Sequence, residues 1–136
     1  MTDALTPLAP GRYIIFAGRL QKKRTGQIRA GWVERFFVLT ADALHYFRQP
    51  KVVRLVGVFG EERAIIALRD IRTIDERRRE TDGRLTIAMT TSAPHHPTIQ
   101  LCHVDEDTVV AWRAALVGAF FVCYRMTEYF TNKYNN

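Results

Sequence analysis

Apolar and polar residues alternate with a period of two through most of this chain, and with a period of three to four only near its end. The alternation is clearest in Trp32–Thr40, where Val33, Arg35, Phe37 and Leu39 share one face and Trp32, Glu34, Phe36 and Val38 the other. Aromatic and β-branched residues dominate that stretch, as a strand favours. Residues 13–23 have the same character and end in a basic run, Lys22-Lys23-Arg24, before a turn from Thr25-Gly26 to Gly31. Residues 43–48 follow after a short join at Ala41-Asp42, which predicts an antiparallel hairpin. Four more strands are predicted at 64–68, 71–76, 84–90 and 98–103. Asp82-Gly83 marks a tight turn, because glycine accepts positive φ without steric cost. Residues 49–63, with Pro50, Gly57 and Gly60, form a long loop of the kind that often carries function. Its valine-rich part, 52–59, has the composition of an extra strand.

Beyond residue 104 the period changes. Asp105-Glu106-Asp107 places carboxylates where a helix start offers unpaired N–H groups and a positive dipole end. Val109, Trp112, Leu116, Ala119, Phe120 and Cys123 then recur at helical spacing on one apolar face. A helix from Asp105 to about Tyr124 would span about 30 Å, somewhat more than a barrel cap needs. The predicted fold is mostly β with one C-terminal α-helix: seven short strands in a bent antiparallel barrel or sandwich, capped by the helix. Residues 1–12 read as a flexible lead, 13–124 as one domain, and 125–136 as a helix extension or tail.

A length of 136 residues suits one domain, and 47% hydrophobic content supplies one core, which excludes disorder. No run of about 18 apolar residues is present, so no membrane span is expected. The N-terminus lacks the charged and apolar regions of a secretory signal. Two cysteines, Cys102 and Cys123, without motif spacing point to a reducing compartment, most simply the cytoplasm, with peripheral membrane association open to it. The net charge of +6 is unevenly spread. Residues 1–56 hold 10 Lys/Arg against 3 Asp/Glu, whereas residues 57–136 hold 10 against 11. This asymmetry points to an anionic partner: lipid, nucleic acid or acidic protein.

Arg77-Arg78-Arg79 resembles a nucleic-acid patch, but Asp75, Glu76 and Glu80 neutralise it, so it reads as a solvated hairpin end and nucleic acid is not expected. His45, His95, His96, His103 and the two cysteines have no zinc spacing, so no metal is expected. No nucleophile–base arrangement, P-loop or nucleotide fingerprint occurs, so the chain reads as a non-enzyme without cofactor or catalytic residues.

Five pieces resemble the pleckstrin-homology (PH) family, and they stand in the family's order. Ala17-Gly18-Arg19-Leu20-Gln21-Lys22-Lys23 is similar to its opening strand, Gly-x-Leu-x-Lys-Lys. Gly31 to Leu39 resembles Trp-x-x-Arg-x-Phe-x-Leu, and Leu44-His45-Tyr46-Phe47 resembles Leu-x-Tyr-Tyr/Phe. Ala67-Leu68-Arg69-Asp70-Ile71 is similar to Ile-x-Leu-x-x-Ile, and Trp112-Arg113-Ala114-Ala115-Leu116 to the helix signature Trp-x-x-Ala-Leu. The resemblance implies a binding module whose structural core includes Trp112, Phe37 and Leu39. It also implies a phosphate-gripping mouth: Lys22 matches the first-strand lysine, Arg35 the second-strand arginine, and Tyr46 a third-strand tyrosine, with Lys23, Arg24 and Arg48 nearby. The middle basic position of that pattern is Val33 here, a departure. A looser basic rim of Lys22, Lys23, Arg24, Arg29, Arg48, Lys51 and Arg54 would bind anionic bilayers without selectivity. The alternative to both is a merely solvated rim.

The expected function is therefore recruitment to acidic phospholipid or phosphoinositide membranes in signalling. The alternative is a protein-interaction adaptor, or self-association through the C-terminal helix. Phe121 lies one step round from the core-facing stripe, and Tyr124 with Met126 extends past the expected end of the cap, so either residues 125–134 turn back to cover them or a partner does.

Overall fold

The computed structural model describes residues 13–24, 31–48, 62–94 and 97–134. The strands are β1 (Ile14–Lys23), β2 (Trp32–Thr40), β3 (Ala43–Phe47), β4 (Glu62–Ala67), β5 (Ile71–Arg78), β6 (Leu85–Thr91) and β7 (Thr98–Cys102), and helix α1 (Glu106–Tyr134) follows. A single 3₁₀ turn, Leu68–Asp70, joins β4 to β5. The seven strands form one antiparallel sheet in the order β4-β3-β2-β1-β7-β6-β5. Seven strands and one C-terminal helix were predicted, and this is the architecture observed. The strand proposed at 52–59, together with Arg29, Lys51, Arg54, His95 and His96, lies outside the described residues.

Alternation puts one face of every strand into a common core. Leu20, Phe37, Leu39, Leu44, Ile66, Ile71, Ile87, Met89, Ile99 and Leu101 meet Val109, Trp112, Leu116 and Ala119 of α1 there. Trp112 is 1% exposed, with Phe16 edge-on at 4.8 Å between ring centroids and Phe37 at 6.3 Å. On the other face, Val38 and Phe47 form a small second cluster with Phe36. β1 bulges at Ile15, between the Ile14–Thr40 and Phe16–Leu39 pairs. Such an extra residue bends a strand and increases its twist.

The turn between β5 and β6 has its glycine in the left-handed region, Gly83 at φ 70°. Asp82 ties it down, accepting from Arg79 Nε at 3.0 Å and from the Arg84 backbone N–H at 3.0 Å. These contacts hold the Asp82 carboxyl well below its usual range. The arginine run is thus a structured hairpin end. Arg78 pairs with Glu106 at 2.6 Å, which ties the hairpin to the start of α1.

Helix α1 differs from the expectation in two respects. It spans 29 residues and continues to Tyr134, not to about Tyr124, so residues 125–134 do not turn back. Backbone hydrogen bonding simply continues, since no glycine or proline interrupts residues 119–134. The segment Glu106–Met126 is also long and apolar enough, by length and composition, to cross a membrane, although no uninterrupted apolar run exists. Its inner stripe is the core cap; Val110, Phe121, Val122 and Tyr124 are exposed off that stripe, and Met126, in line with Ala119, is exposed past its end.

Candidate functional site

The site is built on the ends of β1 and β2 and on β3. In the β1–β2 register Lys22 stands opposite Val33, and Leu20 opposite Arg35. In the β2–β3 register Phe37 stands opposite Tyr46. Residues opposite one another in an antiparallel pair point to the same face. Since Leu20, Phe37 and Tyr46 face the main core, Lys22, Val33 and Arg35 continue that face toward the barrel mouth.

Lys22 is the unusual member, a lysine only 7% exposed. Its stem lies along the apolar wall, and Nζ sits 5.4 Å from the centroid of the Tyr46 ring. Among the described residues the ammonium donates only a long bond, 3.4 Å, to the Lys23 carbonyl. Burial pushes its pKa down, and the nearby Arg35 charge pushes it further. Both effects disfavour the charged form, and an anion at the mouth would oppose both. Arg35 is half-buried and its Nη1 donates to the Glu34 carbonyl at 3.0 Å.

The other predicted site residues separate. Lys23 is exposed, on the strand face opposite Lys22. Arg24 lies just past β1, where its backbone N–H donates to the Gly31 carbonyl at 2.9 Å and closes the neck of the β1–β2 connection. Tyr46 is buried beneath Lys22, with its ring 5.5 Å from that of Phe37, and so lies deeper than a rim residue. Arg48 is exposed beyond the end of β3. The geometry therefore brings Lys22, Arg35 and Tyr46 together on one inner face and leaves Lys23 on the outer one.

A second cluster on the outer face was not anticipated. Arg79 lies with its guanidinium 4.8 Å from the Trp32 ring centroid and pairs with Asp82. Cys102 beside it donates to Gln21 Oε1 at 3.4 Å, and burial pushes its thiol pKa up. Contacts from β5 to β2 and from β7 to β1 leave no trace in local spacing. Only the aromatic residue at the start of β2 and the arginine run hinted at it. Among the described residues, no three His, Cys, Asp or Glu side chains gather as metal ligands would. Cys102 and Cys123 are free thiols.

The PH domain family model matches residues 14–119. Among solved structures, the chain is similar to the PH domain of human pleckstrin homology domain-containing protein family A member 5. That pair shares 20% identity over 85% of this chain and 84% of the other, with a TM-score of 0.61. It is also similar to the ArhGAP27 PH domain, at 17% identity, 77% and 97% coverage and a TM-score of 0.59. A third is the Slm1 PH domain in complex with inositol-4-phosphate, at 14% identity, 78% and 95% coverage and a TM-score of 0.58. No curated protein matches the chain by sequence.

Proposed function

The chain belongs to the PH domain family, and from that premise we propose that it recruits its protein to membranes bearing phosphoinositides or other acidic phospholipids. As a PH domain it is a non-enzymatic binding module. The observation that carries the lipid reading is the Lys22 ammonium, held inward over Tyr46 beside Arg35, with its charged form disfavoured by burial and by a like charge. A cation in that state gains more from an incoming phosphate than a solvated one does, because the phosphate offsets a cost already present. The Slm1 relative, solved with inositol-4-phosphate, supports the same chemical class of ligand. The excess of basic residues in the first part of the chain adds a non-selective attraction to anionic bilayers.

The test is co-sedimentation with phosphoinositide vesicles and with phosphatidylserine vesicles of equal charge. The site reading expects stronger binding to the former, weakened by Arg35→Ala without loss of the folded state. Equal binding to both vesicles would leave only diffuse attraction, and no binding to either at low salt would remove lipid.

A second reading rests on a separate observation. Phe121 is 59% exposed, Tyr124 58% and Met126 51%, on a helix that overruns its cap. Phe120 meets Phe121 edge-on at 6.2 Å between centroids and stacks with Tyr124 at 6.4 Å. Exposed aromatic clusters of this kind favour a protein partner or a second copy of the chain. Light scattering at tens of micromolar, on the intact chain and on Phe121→Ser/Tyr124→Ser, tests self-association. A dimer converted to a stable monomer supports it, and a monomer in both cases removes it.

A further inference from the structure

β1 pairs with β2 along its length, but with β7 only at Gln21 and Lys22. The next step would set Leu20 against His103, and there β7 has ended. The His103 ring accepts the Asp105 backbone N–H through Nδ1 at 2.9 Å, and Asp105 in turn accepts the Asp107 N–H and the Thr108 hydroxyl. These bonds turn the chain out of the sheet and into α1. Phe16–Leu20 is left with no strand on that side among the described residues. A shallow surface depression, open to solvent, lies over the gap. Ala17, Gly18 and Arg19 form one wall, and Asp105, Asp107 and Ala111 the other.

The floor of this groove holds a donor without a protein partner among the described residues. Trp112 is 1% exposed, yet among the described residues its indole N–H donates to nothing. That nitrogen is not fully sealed from solvent. It opens on the depression beside Gly18, where a built Cβ would lie 3.5 Å from Nε1. Opening on solvent, the indole N–H is left to water in the free protein, and a peptide carbonyl can take the place of that water.

We propose that an extended peptide segment of a partner protein docks in this groove as an added strand along the open edge of β1. Only another backbone offers both a carbonyl for the Trp112 N–H and a ladder for the edge of Phe16–Leu20 that no described strand pairs. The walls set its side chains. Asp105 and Asp107 favour a basic residue beside α1, Arg19 favours an acidic one beside β1, and Phe16 and Ala111 favour an apolar residue between them. The absent Cβ of Gly18 leaves the approach to Trp112 clear. This site is separate from the barrel mouth at Lys22 and does not depend on lipid binding.

The probe is a phage-displayed library of random ten-residue peptides, selected on the intact chain. Peptides with the stated charge pattern should be enriched, and the synthetic winner should bind. On binding, the Trp112 indole N–H resonance should move downfield while that of Trp32 stays. Gly18→Val, which fills the approach with a strand-forming residue, should weaken binding about ten-fold. Asp107→Lys, a surface change that leaves the core alone, should weaken it several-fold, and Lys22→Ala should not alter it. The proposal is overturned if no peptide is enriched over bare support. It is also overturned if the winner binds Gly18→Val and Asp107→Lys as it binds the intact chain, or perturbs only Trp32.

Discussion

Lys22 carries a positive charge into an apolar wall beside another cation, and this has opposite consequences for stability and for binding. Its pKa is lowered from 10.5, so between the lowered value and 10.5 the unfolded chain holds a proton that the folded chain has released. Stability therefore rises with pH across that window, and below it the charged form costs the folded state its full amount. Lys22→Met should raise the thermal midpoint at neutral pH and weaken inositol phosphate binding, as calorimetry of each would read. Anion binding should also weaken as pH rises through the lowered pKa, because the free protein then carries a neutral amine there. Val33 stands directly across from Lys22. Val33→Lys should tighten inositol phosphate binding by up to about 1.5–3 kcal/mol, the worth of one charge-assisted contact, while lowering the stability of the free protein. An unchanged affinity would mean that this mouth does not hold the headgroup.

At the scale of elements, α1 works as a cap over its first half, and beyond it Phe121, Val122, Tyr124 and Met126 are exposed. Trp112→Ala should cost about 3–5 kcal/mol, since a fully buried indole leaves a cavity among Phe16, Phe37 and Gly18. Phe121→Ser/Tyr124→Ser, on the exposed face, should shift the monomer's stability by only about 0.5 kcal/mol per site. Urea denaturation of both variants separates the two halves of the helix. In the β5–β6 hairpin, Gly83 holds φ 70°, and a methyl group there would meet open space. Gly83→Ala should therefore cost about 1–2 kcal/mol through backbone strain alone.

For the whole molecule, the basic excess in residues 1–56 predicts vesicle binding that weakens steeply as salt rises toward physiological strength. A headgroup site built on a buried lysine is screened far less. Phosphoinositide preference should therefore persist at salt concentrations that abolish binding to phosphatidylserine vesicles, as co-sedimentation at two ionic strengths would show.

The seven strands, the helix and the inward set of Phe37, Leu39, Leu116 and Trp112 were legible in the sequence, because periods of two and of three to four are local properties of a chain that must bury one face. The family was legible for a related reason: its motifs are core and turn residues in fixed order. Three things were not legible. That Lys22 faces Val33, and lies over Tyr46 while Lys23 points away, depends on strand register, which pairing decides. That α1 runs on to Tyr134, one of the two readings open for residues 125–136, depends on the absence of anything to stop it. That no described strand pairs β1 beside the Trp112 indole depends on where β7 leaves the sheet. The His103–Asp105 bond makes that departure, far along the chain from the strand it leaves uncovered.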